Sequence, residues 1–413
     1  MTHMDDYDAA HATTPTTLKT PATADREKNT NRHRANDFIG VWQTANLFES
    51  LANYSQYFAD PSVGWIGEHS DNGAILKSLT DPTVAKFNWY NDDAGWWALA
   101  WIRQAKALPK TDPRRQQYLN NAQSVFARLT KSWGKTRCGG VTWTSRNGVG
   151  RPNRYVNSIT NELFLHIATS LANVNGQTIA PNVSSHNLPA PNDYAGWAWQ
   201  SAQWWLAGQG SVLLKPATNG VRDGLDPGKS CAVVGSEYSY NQGVILGGLA
   251  GYAALSSRSG RDDLVPLRTV AQLIRQLAGS NFVSASNGVI VEPHASSGAT
   301  PGNSDHATFK GVLARYLGYS YISMVANTDR VAGAAEAASA IRNVLEASSR
   351  AAVDHAVNPH PAGKMASTPA MGYDWASSNN DSLIYYQAAL AGSVLDLLNA
   401  AYLVSNVPDL KTA

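Results

Sequence analysis

The stretch Tyr118-Leu119-Asn120-Asn121-Ala122-Gln123-Ser124-Val125-Phe126-Ala127-Arg128-Leu129 decides the architecture. Its apolar members Tyr118, Ala122, Val125, Phe126 and Leu129 recur every three or four residues, which places them on one face of a helix. The same stripe returns in Leu267, Val270, Ile274 and Leu277, and again in Ala334, Ala337, Ala338, Ile341, Val344 and Leu345. Extending this reading predicts about ten helices, near 35–58, 91–107, 114–132, 156–173, 194–208, 238–257, 263–279, 305–325, 329–354 and 383–404. No comparable series of alternating strands is found. The stretches between helices are long and rich in Gly, Pro, Asn and Ser, at 134–154, 174–193, 209–236, 281–304 and 356–381, and loops that long in a packed domain tend to carry function.

Helical hairpins set in a ring with extended loops at one mouth satisfy both observations. The expected fold is all-α, an (α/α) toroid forming one domain over residues 34–413. A twelve-helix ring requires two helices that the periodicity does not locate, and an irregular α-solenoid is the alternative, although no fixed repeat is present. Residues 1–33 are rich in Thr, Ala, Asp and Asn with almost no large apolar side chains, and are expected to be a flexible leader.

Composition narrows the function. Charged residues make up 15% of the chain, against roughly 25% in an ordinary globular domain. With Lys+Arg 33 and Asp+Glu 31 there is no basic footprint for a polyanion, so nucleic acid is not an expected partner. Thirteen Trp and 17 Tyr supply flat faces with a polar edge, suited to sugar rings, although any single Trp is more readily a core residue. Cys138 and Cys231 permit one disulfide, and whether they pair stays open. No apolar run is long enough to span a bilayer and no signal peptide is visible; secretion with the signal already removed is expected ahead of an intracellular location. The histidines show no metal-ligand spacing, His294 and His306 read as solvated, and neither a metal nor another cofactor is expected.

The chemistry concentrates in Trp89-Tyr90-Asn91-Asp92-Asp93-Ala94-Gly95-Trp96-Trp97. Asn91 suits an N-cap, which places Asp92 and Asp93 in the first helical turn, where the backbone dipole favours negative charge. Capping alone explains both acids. Their neighbours Trp89, Tyr90, Trp96, Trp97 and Trp101 argue instead for a sugar subsite between two carboxyl groups. Retaining glycosidases need carboxyls roughly 5–5.5 Å apart, a separation open to adjacent residues whose side chains diverge. Mutual repulsion would raise the pKa of one member, and which one is not readable.

Several blocks in order resemble glycoside hydrolase family 76, the α-1,6-mannanases. They are Tyr90 to Ala100, Gly139-Gly140-Val141-Thr142-Trp143, Asn157 to Phe164, Asp223-Gly224-Leu225, Tyr238 to Gly243 and Phe309 to Leu317. The resemblance implies an α/α toroid and retaining endo-cleavage of α-1,6-linked mannan, with Asp92 as nucleophile and Asp93 as acid/base. It also implies that Asn91, Trp96, Asn157, Asp223, Tyr240, Asn241 and Gln242 meet the substrate, a neutral polysaccharide or oligosaccharide. Against this, Asp223-Gly224 also reads as a turn, Asn157 and Glu162 as capping residues, and Tyr240 to Gln242 as a helix start. Lys310 and Arg315 are placed on the polar side of an amphipathic core helix, and the small pair Ala94-Gly95 is expected to widen the subsite beside the acids. A monomer is expected.

The nearest alternatives are a transglycosylase on the same scaffold and a hydrolase of another α-1,6-glycan such as an α-glucan. A helical terpene cyclase or prenyltransferase would need a further acid a turn beyond Asp92-Asp93, where Trp96 and Trp97 stand. A noncatalytic glycan-binding protein would bind without releasing reducing ends.

Overall fold

The stretch around Tyr118 is helical, and two residues set its start: the Asp112 carboxylate accepts from the Arg114 amide at 2.9 Å, and Pro113 takes the first turn, where no amide is needed. The computed structural model describes residues 41–60, 72–84, 88–146, 155–184, 187–214, 220–293, 305–358, 370–371, 374–376 and 387–407. The expected leader 1–33 and His294 lie outside the described residues.

Eleven α-helices are present among the described residues: α1 (Val41–Phe58), α2 (Asn72–Thr80), α3 (Asn91–Ala107), α4 (Pro113–Thr130), α5 (Ser158–Val174), α6 (Tyr194–Leu206), α7 (Ser239–Arg258), α8 (Val265–Ala278), α9 (Asp305–Val325), α10 (Ala334–Ala351) and α11 (Gln387–Asn406). Helices α1, α3, α5, α7, α9 and α11 pack each on the next, and α11 returns to α1, which closes an inner ring. Helices α2, α4, α6, α8 and α10 alternate with them in the chain and lie outside. This is an α/α toroid.

The alternation explains which helices show a period. The stripes of α4, α8 and α10 are buried on one side only, as outer helices require, whereas α5 is buried along nearly every residue from Ser158 to Ala172. Helix α2, absent from the expected set, is nine residues long with a single buried residue, Leu79, so it carries almost no stripe. Indoles fill the interior: Trp101, Trp197, Trp205 and Trp375 are fully buried, each worth on the order of 4–6 kcal/mol of apolar burial.

Lys310 and Arg315 depart from expectation. Both are buried, with Lys310 over the Trp375 ring at 4.4 Å and Arg315 ion-paired to Glu49 at 2.5 Å and to Asp396 at 3.0 Å. An inner helix has no polar outside, so its cations must be matched within the barrel.

A small antiparallel sheet interrupts the helices, β1 (Val156–Asn157) pairing with β2 (Arg222–Asp226) and β2 with β3 (Ala232–Glu237). Its strands were not expected, being short and, in the case of Arg222-Asp223-Gly224-Leu225-Asp226, without apolar alternation. β4 (Val357–Asn358) and β5 (Ala370–Met371) form a second, two-stranded pair. The Cys138–Cys231 disulfide ties the segment before α5 to the β2–β3 hairpin.

Candidate active site

Because inner helices alternate with outer ones, their N-terminal ends gather at one mouth, and a cleft of about 490 Å³ opens there. Trp42 and Gln43 of α1, Asp92, Asp93 and Trp96 of α3, Asn157 and Ile159 at the start of α5, Tyr238 and Tyr240 at α7, and Asp305, His306 and Phe309 of α9 line it. Tyr90, Trp143, Tyr155 and Asp223 complete the wall from the connecting segments. One side is a run of rings, with Trp42 5.9 Å from both Trp96 and Phe309, and Phe309 4.2 Å from Tyr240. Trp143 lines the cleft as well, 5.0 Å from Tyr90.

The acidic pair occupies the first turn of α3. Successive helical residues point about 100° apart, and the two carboxyls diverge to different donors. Asp92 accepts from the Trp143 indole at 2.9 Å and from the Asp93 amide at 3.1 Å, while Asp93 accepts from the Asn88 side-chain amide at 2.8 Å. Burial pushes Asp92 well above the usual carboxylate range, helped by the charge of Asp93 and opposed by Trp143. Burial also lifts Asp93, to about 6, with Asp305 adding to the rise and Asn88 and Arg128 opposing it. Both carboxyls of the pair are thus pushed above the usual carboxylate range, and the two titrate as a pair.

The segments around the pair are held by hydrogen bonds of long sequence range. The Trp143 amide donates to the Tyr155 carbonyl at 2.6 Å, and the Tyr155 hydroxyl donates to Asp223 at 2.5 Å. Asn161 clamps Val141 from both sides, accepting from its amide at 2.7 Å and donating to its carbonyl at 3.0 Å. Gly140 has φ +64°, and a Cβ there would stand 2.6 Å from the Asn161 oxygen, so only glycine fits. At Gly235, with φ +85°, a Cβ would meet that of Asp223 at 2.4 Å. Pairing of β1 with β2 sets Asn157 opposite Gly224, beside Asp223.

The family model described as glycosyl hydrolase family 76 matches residues 6–407. The chain belongs to glycosyl hydrolase family 76. A mannan endo-1,6-alpha-mannosidase of Saccharomyces cerevisiae is 29% identical over 237 residues, covering 55% of this chain and 45% of the yeast protein. One of Candida albicans is 29% identical over 351 residues, covering 76% and 68%. The chain thus spans about half the length of the first of these relatives. Among solved structures, the alpha-1,6-mannanase of Salegentibacter sp. HEL1_6 superposes with TM-score 0.64 at 17% identity over 88% of this chain and 89% of that one. Its variant with two adjacent aspartates changed to asparagine is described as inactive and was solved with alpha-1,6-mannotriose.

The family 76 site brings together Asp92, Asp93, Trp96, Asn157, Asp223 and Tyr240 of the expected residues. Asn157 keeps its amide oxygen without a hydrogen bond among the described residues and does not cap α5. Asp223 lies within β2 rather than in a turn. Burial and the charges of Asp223 and Asp92 hold the Tyr240 phenol protonated well beyond its ordinary range.

Three expected residues lie elsewhere. Asn91 is not the N-cap: the helix begins at Asn91 after Tyr90, and its fully buried amide donates to the Thr142 carbonyl at 2.8 Å, binding loop rather than ligand. Gln242 spends its amide on both backbone groups of Val221, and Asn241 is fully buried away from the cleft. Start-of-helix duty at α7 falls instead to Glu292, which accepts from the Ser239 amide at 3.0 Å.

Of the aromatics around the pair only Tyr90 and Trp96 reach the cleft; Trp97 and Trp101 are core, and Trp89 packs under Arg146 at 5.0 Å. Nor does Gly95 widen the subsite, since a Cβ there would meet Leu163 of α5 at 3.1 Å; it permits close helix packing. His306, expected in solvent, lines the cleft 5.2 Å from Phe309. Glu162 caps nothing: it is fully buried in α5, and burial with the charge of Asp223 pushes its carboxyl well above the usual carboxylate range.

Arg128, Asn88 and Asp305 were missed. Arg128 donates to the Tyr90 carbonyl and the Asn91 oxygen, both at 3.2 Å, and sets a guanidinium behind the pair. A charged residue beside the apolar stripe of α4 was the one signal available for it.

Proposed function

We propose that the protein is a retaining endo-acting glycoside hydrolase that cleaves α-1,6-linked mannan. The observation that carries this reading is the divergent carboxyl pair, each member held by its own side-chain donor, in an aromatic-lined cleft. The names of the relatives supply the linkage, and the inactive double variant of the Salegentibacter enzyme, also altered at adjacent aspartates, supports a catalytic pair.

In this mechanism Asp92 attacks the anomeric carbon as a carboxylate. Asp93 gives its proton to the departing glycosidic oxygen, and an ester between Asp92 and the sugar remains. Water then attacks that carbon, Asp93 takes the water proton, and the Asp92 carboxylate leaves with the configuration restored. Asp92 must be ionised to attack and Asp93 protonated to serve the leaving oxygen; positive charge developing on the ring over Asp92 favours that distribution. The rings of Trp96, Phe309, Tyr240 and Trp143 that line the cleft suit the C–H faces of sugars.

Asp92→Asn is expected to abolish turnover with the fold retained. Asp93→Asn is expected to slow cleavage of mannan far more than cleavage of an aryl α-mannoside with an acidic leaving group, which needs no proton. Equal losses on both substrates would remove Asp93 from the role. Reducing-end release from α-1,6-mannan, α-1,6-glucan and branched mannan tests the linkage, and products longer than the substrate would identify transfer in place of hydrolysis.

A further inference from the structure

We propose that Asp305, in the first turn of α9, is a positioning residue whose carboxyl, held in the same cleft as the acidic pair, favours the protonated form of Asp93. The inference rests on the reading of Asp93 as the acid/base.

An acid in a first helical turn is favoured by the backbone dipole whatever surrounds it. What the dipole leaves unexplained is the pair of donors from another helix: the Trp42 indole at 3.0 Å and the Gln43 amide at 2.6 Å, both from α1, converge on the same oxygen of Asp305. Two donors from one helix fix the position of that oxygen. Trp42 is itself clamped, 5.9 Å from Trp96 one turn beyond the pair and 5.9 Å from Phe309 one turn along α9. The carboxylate is thereby tied to α1 and set in the same cleft as Asp93.

Asp93 faces charges of both signs. Asp92 stands beside it on α3, Arg128 reaches it from α4, and Asp305 from α9. Asn88 donates to it as a neutral group, while Asp223 of β2, Tyr240 of α7 and His306 of α9 line the same cleft. Arg128 and Asn88 favour the ionised form, which would leave a poor acid at working pH. Burial outweighs them, Asp305 adds to the rise, and Asp93 stands near 6, within the range a general acid requires.

The test compares kcat/KM against pH for wild type, Asp305→Asn, Asp305→Glu and Asp93→Asn on an α-1,6-mannooligosaccharide. Removing the charge is expected to move the basic limb to lower pH by about half a unit to one unit, a loss of about three- to tenfold above the limb. Asp305→Glu, which keeps the charge, is expected to leave the limb in place. Asp305→Ser, smaller and equally neutral, gives the same readout if the asparagine variant does not fold. An unmoved limb in a folded neutral variant overturns the inference. Should Asp93→Asn retain the wild-type limb, the acid/base reading fails by itself, whatever Asp305 does; should it lose the limb while Asp305→Asn keeps it, only Asp305 is refuted.

Discussion

Trp143→Phe removes a single N–H from the site and leaves a ring against Tyr90. The lost bond is the 2.9 Å contact from the indole to Asp92, a neutral donor on a group that must be an anion to attack. Hydrogen bonds to charged groups contribute about 1.5–3 kcal/mol, which corresponds to about one to two pH units in the Asp92 equilibrium and about 10- to 150-fold in rate where ionised enzyme is scarce. The sign follows from the opposing causes: burial and Asp93 raise Asp92, and Trp143 lowers it, so deleting the donor raises Asp92 further. The acidic limb of the profile should therefore move up, with the rate recovering at high pH. An aryl α-mannoside with an acidic leaving group is the right substrate, because it dispenses with the proton of Asp93 and lets the limb report Asp92. A rate loss of the same size at every pH would show that Trp143 merely packs, and would refute the reasoning.

Three further outcomes follow from the same geometry. Asp93 is raised from 3.8 to about 6 in the folded chain, so the stability it contributes is fully present below 3.8 and is lost as pH rises through about 6. Asp93→Asn should flatten the fall in Tm over that window and leave the variant more stable near pH 7, by on the order of 3 kcal/mol in a thermal or urea melt. Changing Cys138 and Cys231 to Ser frees the β2–β3 hairpin from the Trp143 segment and should cost about 2–5 kcal/mol, read from the urea midpoint, with a fall in kcat/KM because both joined segments line the cleft. Gly140→Ala must find room beside Asn161 at a positive φ, and about 1–3 kcal/mol of strain should appear as a lowered Tm together with slower turnover.

What the sequence disclosed about this fold tracks where each helix sits. The outer helices α4, α8 and α10 bury one face and advertise it with a stripe, while α2 buries little more than Leu79 and passes unnoticed. Inner helices could be located but not oriented, which is why Lys310 and Arg315 were assigned to a polar face that does not exist. The cleft was legible where a residue type stands out in place, as with Asp92 and Asp93. It was illegible where the partner lies far along the chain: Trp143 is 51 residues from Asp92, and Gln43 is 262 from Asp305. Local signals also misled, because Asn91 and Gln242 have the chemistry of sugar ligands yet are used to bind backbone. An amide that holds a loop and one that holds a hydroxyl look alike until the loop is placed.

The toroid itself imposes the conflict that the site exploits. Parallel inner helices bring the positive ends of α1, α3, α5, α7 and α9 to the cleft mouth, an arrangement that draws acids there and favours their ionised forms. Four carboxyls collect in response, Asp92, Asp93, Asp223 and Asp305. Burial in the ring-lined cleft then penalises ionisation of Asp92 and Asp93, where it outweighs their donors. A pair poised between these terms can be moved by small changes, since a donor or a neighbouring charge adds to or opposes the effect of burial. Trp143 on one acid and Asp305 in the cleft of the other are two groups placed to do so, and each can be removed without touching the carboxyls themselves.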